Sequence, residues 1–150
     1  MVTKLSEHFT LDEFTASQTA AREGIPNEPD GQSLENLGYL AKTMEKVRTI
    51  LGNRPIIISS GYRGPQLNEA IGGSKTSAHM YGLACDFTCP GAGTPTDICR
   101  VLEPHMQELH VDQLILEYPP NGWVHLGISR EEPRYMALTI TNSGTVSGIA

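Results

Sequence analysis

Apolar residues recur along this chain with two different periods. Between residues 34 and 51 they fall at Leu34, Leu37, Leu40, Ala41, Met44, Val47 and Leu51. That three-and-four spacing predicts a helix with one buried face. Ser33 stands at its expected cap, and Gly52 stands where the helix should end. Glu35, Lys42, Glu45, Lys46 and Arg48 occupy the other face and read as solvated surface. Three shorter helices are predicted. Thr10 and Glu13 form a capping-box pattern near the start. "GPQLNEAIGGS" (64–74) reads as a short helix stopped by two glycines. Thr94 and Pro95 open another, which Pro104 interrupts. Residues 22–32 are rich in turn formers and read as a loop.

The second period is that of strands. "PIIISS" (55–60) is a β-branched run that predicts a buried strand, and "GLACDFT" predicts a second. "VDQLILEY" and "WVHLGIS", joined by "PPNG", predict a hairpin. "YMALTI" (135–140) predicts an edge strand. The tail from about residue 141 has little to bury and is expected to be poorly ordered. Helices and strands mix without regular β-α-β alternation. The expectation is an α+β fold with a small, mostly antiparallel sheet flanked by helices. At 150 residues the chain is expected to form a single domain over 1–150.

Composition narrows the functional classes. The net charge is −6, and the 11 lysines and arginines do not cluster. A sequence-independent nucleic-acid binder needs a basic stripe, so nucleic acid is not an expected partner. An anionic membrane surface is disfavoured for the same reason. No apolar run approaches the roughly 20 residues that span a bilayer. The opening "MVTKLSEHFTLDEF" lacks the pattern of a secretory signal. The expectation is synthesis in the cytoplasm, with any later export by another route. Three cysteines, Cys85, Cys89 and Cys99, point to reduced thiols rather than a disulfide framework.

The chemistry concentrates in "SKTSAHMYGLACDF" (74–87) and in the hairpin. On the strand "GLACDFT", Leu83, Cys85 and Phe87 share one face, which is apolar. Asp86 lies on the other, with Ala84 and Thr88. His79 precedes the strand, and Gly82 lets the chain fold back toward Asp86. If the hairpin turns symmetrically about Pro120, Glu117 stands opposite Trp123, and Ile115 opposite His125. Glu117 and His125 then share a face, and a slip by one residue would separate them. Two imidazoles and a carboxylate suit zinc with a fourth position for water, whose proton is lost near neutral pH. A nearby glutamate that is not a ligand can serve as general base. Spacing alone leaves two readings open, a shared ion or satisfied polar groups of core and loop. His8, His105 and His110 have no such partners and read as surface or half-buried residues.

The whole pattern resembles the LAS family of zinc peptidases. It runs "SSGYRGPQLNEAIGGSKTSAHMYGLACDF", then "DQLILEYPPNGWVHLGIS". The family includes D-alanyl-D-alanine carboxypeptidases, vancomycin-resistance dipeptidases and phage endolysins that cut L-alanyl-D-glutamate bonds. The hedgehog signalling domain has a related fold. The matching residues are Ser77, His79 and Asp86, then Trp123 and His125, with the "SGYR" and "LN…GG" elements, over roughly residues 8–130.

The resemblance implies one zinc ion per chain, held by His79, Asp86 and His125. It implies that Arg63 steadies a substrate carboxylate or a developing oxyanion, and that Ser77 hydrogen-bonds near the substrate. Trp123 is expected to wall the cleft, and Tyr62 and Asn68 to be structural. Many members carry the catalytic glutamate three residues before the last histidine. Here that residue is Gly122, so Glu117 is the expected base.

The implied substrate is the peptide stem of peptidoglycan. The expected activity is that of a monomeric, bacteriolytic endolysin-type endopeptidase acting at the bacterial cell wall after release by a partner. The alternatives are a D-alanyl-D-alanine carboxypeptidase and a non-enzymatic zinc-containing binding module.

Overall fold

The computed structural model describes residues 3–150. The chain forms two compact units. One runs up to Glu45 and resumes over Ile58–Cys85. The other comprises Lys46–Ile57 and Asp86–Ala150.

In the first unit, α1 (Leu11–Thr15) begins at the expected capping box. The Glu13 N–H donates to Thr10 Oγ1 at 3.3 Å, and the Thr10 N–H donates to Glu13 Oε1 at 2.9 Å. α2 (Gln18–Glu23) is capped by Ser17 and ends at Gly24 in the left-handed region, within the stretch expected to begin a loop. α3 (Gly31–Ile50) starts three residues earlier than predicted. The Ser33 N–H donates to Asp30 Oδ1 at 2.7 Å, so Asp30 supplies the cap. Leu34 then falls outside the buried stripe and is 41% exposed, whereas Leu37, Leu40, Ala41, Met44 and Val47 are fully buried. α4 (Pro65–Ala70) carries proline at its first position and gives way to Gly72 at φ +75°.

β1 (Ile57–Ser60) is shorter and more exposed than its apolar run suggests. It lies at one edge of the sheet, and Ile57 is 54% exposed while Ile56, just before it, is buried. β2 (Ala84–Thr88) follows the predicted alternation: Cys85 and Phe87 are fully buried, and Asp86 is half-buried.

In the second unit, α5 (Pro95–Leu102) has a reciprocal capping box between Thr94 and Asp97. Glu103–His105 form a single 3-10 turn, so Pro104 lies beyond α5 rather than inside it. β3 (Val111–Glu117) and β4 (Trp123–Ile128) pair antiparallel, with Glu117 opposite Trp123 and Ile115 opposite His125. This is the register that the turn and the face pattern predict. Leu114, Leu116, Val124 and Leu126 on the apolar side are fully buried.

β5 (Met136–Thr141) runs parallel to β3, and β6 (Gly144–Ser147) antiparallel to β5. The six strands make a mixed sheet in the order β1-β2-β4-β3-β5-β6. The parallel pair arises because the chain returns to the start of β3 before β5 begins. The Arg134 backbone N–H and guanidinium donate to both Asp112 oxygens at 2.7 to 2.9 Å, and the Tyr135 N–H donates to the Val111 carbonyl. The Arg134 hydrogen bonds hold the Asp112 carboxyl below its ordinary value. The tail expected to lack order forms β6, although every side chain of that strand is exposed. All three cysteines are buried and none is in a disulfide, and burial pushes the Cys99 thiol up to about 12.

Candidate metal centre

His79 sits in a 3-10 turn, Ala78–Tyr81, capped by Ser77 and closed by Gly82 at φ +74°. A β-carbon at Gly82 would stand 2.5 Å from the Ser33 carbonyl oxygen, so both the conformation and the space demand glycine. His79 is 2% exposed. Its Nδ1 lies 2.7 Å from the Gly61 carbonyl oxygen. That acceptor places the proton on Nδ1 and leaves Nε2 as the ligating nitrogen. Gly61 is itself forced: a β-carbon there would reach 2.5 Å from the Phe14 carbonyl oxygen.

Arg63 shares this local framework. Its backbone N–H donates to the His79 carbonyl at 3.0 Å, and its Nη2 donates to Ser77 Oγ at 3.3 Å. The same Ser77 oxygen accepts the His79 N–H at 3.2 Å. "SGYR" and "SAH", fourteen residues apart, are therefore laced together by main-chain and side-chain bonds. Tyr62 and Asn68 are buried beside them. The Tyr62 carbonyl accepts from Asn27, and Asn68 Nδ2 donates to the Ser74 carbonyl at 2.8 Å. Both placements fit structural roles.

Asp86 on β2 and His125 on β4 are half-buried, and Asp86 Oδ1 stands 2.9 Å from His125 Nδ1. Glu117 ends β3, and its Oε2 accepts the Trp123 indole N–H at 2.7 Å. Trp123 in turn packs on Tyr118, with ring centroids 5.5 Å apart and planes tilted by 51°.

His79, Asp86 and His125 each offer one ligand atom, and these atoms all lie within 4.8 Å of one another. Tetrahedral ligands at about 2.0–2.1 Å from zinc stand roughly 3.3 Å apart. The donor set has the chemistry of a three-ligand zinc site. Over residues 7–127 the sequence matches the family model for peptidase M15. The chain belongs to the peptidase M15 family. A zinc D-Ala-D-Ala carboxypeptidase of Streptomyces albus G is 37% identical over 51 residues. That match covers 34% of this chain and 19% of the relative. Two imidazoles and a carboxylate are a donor set that suits zinc, in agreement with the family.

The M15 chain departs from the LAS pattern at Gly122, and the geometry explains why. A β-carbon at Gly122 would collide with the Glu117 carbonyl oxygen, so no side chain fits at that position. The carboxylate that shares the His125 face comes from the facing strand instead.

Two of the remaining histidines have carboxylate neighbours: His8 Nδ1 stands 2.7 Å from Glu45 Oε1, and His105 Nδ1 contacts Glu108 Oε1. His110 lies at φ +54° after the 3-10 segment. The sequence reading missed two contributors. Gly61 orients His79 through its carbonyl, and a glycine beside a strand end was the available signal. The Trp123–Glu117 hydrogen bond was foreshadowed only by the register that sets these residues opposite each other.

Proposed function

We propose that this M15 peptidase hydrolyses an amide bond in the peptidoglycan stem peptide at the cell wall, as an endopeptidase of the endolysin type. The observation that carries the reading is the β3–β4 register. It sets Glu117 and Trp123 on the strand face that also presents His125, one of the three proposed ligands. A hedgehog-like arrangement of the domain is part of the same reading.

When bound, zinc supplies Lewis-acid polarisation of the scissile carbonyl and an acidified water. Glu117 takes the proton of the attacking water and returns it to the leaving amine nitrogen. Arg63 holds a substrate carboxylate in the fork of its guanidinium, and Ser77, bonded to Arg63, fixes that fork. Trp123 and Tyr118 wall the cleft beside Glu117.

The endopeptidase reading draws on an open groove of about 680 Å³ at Arg63. Ser17, Gln18, Thr19, Ser60 and Ile71 help to line it, and among the described residues Arg63 is its only charged lining residue. Substrate chain can continue there past the anchored carboxylate. A carboxypeptidase needs no such space beyond the terminal residue it grips. Removal of a terminal D-alanine is the second reading, favoured by the Streptomyces relative.

Digestion of purified peptidoglycan, with mass spectrometry of the products, separates the two. A new internal amino terminus supports the endopeptidase; release of free D-alanine alone supports the carboxypeptidase. Glu117→Ala should retain zinc and lose hydrolysis by a factor of about 100 or more. Full activity in that variant removes Glu117 as the base. His79→Ala should lose the metal, and undiminished zinc by elemental analysis would refute the ligand assignment.

A further inference from the structure

We infer that Trp123 is a positioning residue for Glu117, and not merely a wall of the cleft. The inference rests on the reading of Glu117 as the general base.

A glutamate at the end of a strand has three side-chain torsions to fix before its carboxylate can meet a water in one place. Here one oxygen is tied down. The Trp123 indole N–H donates to Glu117 Oε2 at 2.7 Å, a charge-assisted bond at the short end of the normal range. Indole is a donor only, so the Glu117 oxygen is the acceptor in this bond and its direction is fixed. The proton-accepting work falls to Oε1.

The donor is itself fixed. Trp123 lies directly opposite Glu117 in the β3–β4 ladder, so the backbone register sets the span of the bond. Tyr118 packs against the indole at 5.5 Å and limits its rotation. Gly122, with no side chain, lets β4 begin tight against the Glu117 carbonyl. The residue that lacks a glutamate and the residue that orients one are thus neighbours. The same turn that excludes a carboxylate at 122 delivers the indole to the carboxylate at 117.

Trp123→Phe keeps an aromatic ring and removes the N–H. With a soluble stem peptide as substrate, kcat should fall roughly ten-fold or more, the effect of losing a hydrogen bond to a charged group. KM and zinc content should be unchanged. In a Glu117→Ala background the same substitution should cost nothing further, because there is no carboxylate left to orient. A rise in KM at constant kcat would make Trp123 a substrate wall and overturn the inference. An equal kcat loss in the Glu117→Ala background would overturn it too.

A second readout needs neither metal nor activity. Trp123 is the chain's only tryptophan, so one indole N–H resonance reports it alone. That resonance should move upfield in Glu117→Ala, and an unmoved resonance would overturn the bond itself. If Glu117→Ala keeps full activity while the resonance moves, the reading of Glu117 as base fails, not the contact. If Glu117→Ala is inactive and Trp123→Phe turns over normally, the positioning role alone fails.

Discussion

Gly122 shows how a single missing side chain shapes this site. Any β-carbon there meets the Glu117 carbonyl oxygen, a backbone atom that cannot rotate away. Gly122→Ala should therefore destabilise the fold by about 2 kcal/mol or more in urea unfolding. Gly122→Glu, which puts a carboxylate where many LAS-family members carry one, should do the same and gain no activity. A stable, active Gly122→Glu protein would contradict both the steric argument and the placement of the base on β3. Much of this residue-scale picture was legible beforehand. Strand parity separated Asp86 from Cys85, and the turn residues set Glu117 opposite Trp123. The indole hydrogen bond was not legible, because the reach of a tryptophan N–H depends on rotamers that a linear pattern does not encode. The hold of Gly61 on His79 had only a glycine beside a strand end as its signal, because every residue carries the backbone carbonyl that makes the bond.

Among the elements, those legible in the sequence are those whose hydrophobic pattern is consumed locally. The buried stripe of α3 and the β3–β4 hairpin emerge as predicted because each answers to one partner face. The start of α3 slipped because Asp30 and Ser33 are both good caps, three residues apart, and only the folded chain chooses between them. β6 and the parallel β3–β5 pairing were not legible. β6 buries nothing, and the pairing depends on the Arg134–Asp112 bonds between residues 22 apart. This contrast predicts unequal sensitivity. Leu126→Ala in β4 should cost about 2–5 kcal/mol, since the side chain is fully buried in a packed core. Val146→Ala in β6, at a side chain 54% exposed, should stay within about 0.5 kcal/mol. Urea unfolding of both variants checks the difference, and equal losses would contradict the assigned roles.

α3 also anchors the segment before α1. Glu45 accepts from Ser6 Oγ and from the His8 backbone N–H and pairs with the His8 ring. Burial raises its pKa, but those hydrogen bonds outweigh burial and leave the carboxyl below its ordinary 4.5. A depressed folded value means that the clamp stabilises fully above about pH 4.5. Its contribution is lost as pH falls through the lower folded value. Glu45→Gln should flatten the dependence of Tm on pH in that acid window. An identical acid profile in the variant would remove Glu45 from the account.

For the molecule as a whole, the net charge is −6, and among the described residues no helix is long and apolar enough to cross a membrane. What ties distant parts of the sequence together is the donor set. His79 and His125 are separated by 46 positions, yet folding brings their ligand atoms and that of Asp86 within 4.8 Å of one another. An unfolded chain holds no such cluster, so an ion that binds it binds the native state alone. The stabilisation is then about 4 kcal/mol when free zinc exceeds its dissociation constant a thousand-fold. For a chain of this size that corresponds to a Tm shift on the order of 10 °C. A chelator should lower Tm by this amount, and added zinc should restore it. His79→Ala should melt at one temperature with or without either reagent. The linkage separates a metal site from a cluster of polar groups that merely satisfy one another, because hydrogen-bonded imidazoles have no reason to respond to a chelator. An unchanged Tm on chelation, or a full zinc response in His79→Ala, would place the ion elsewhere or nowhere in this chain.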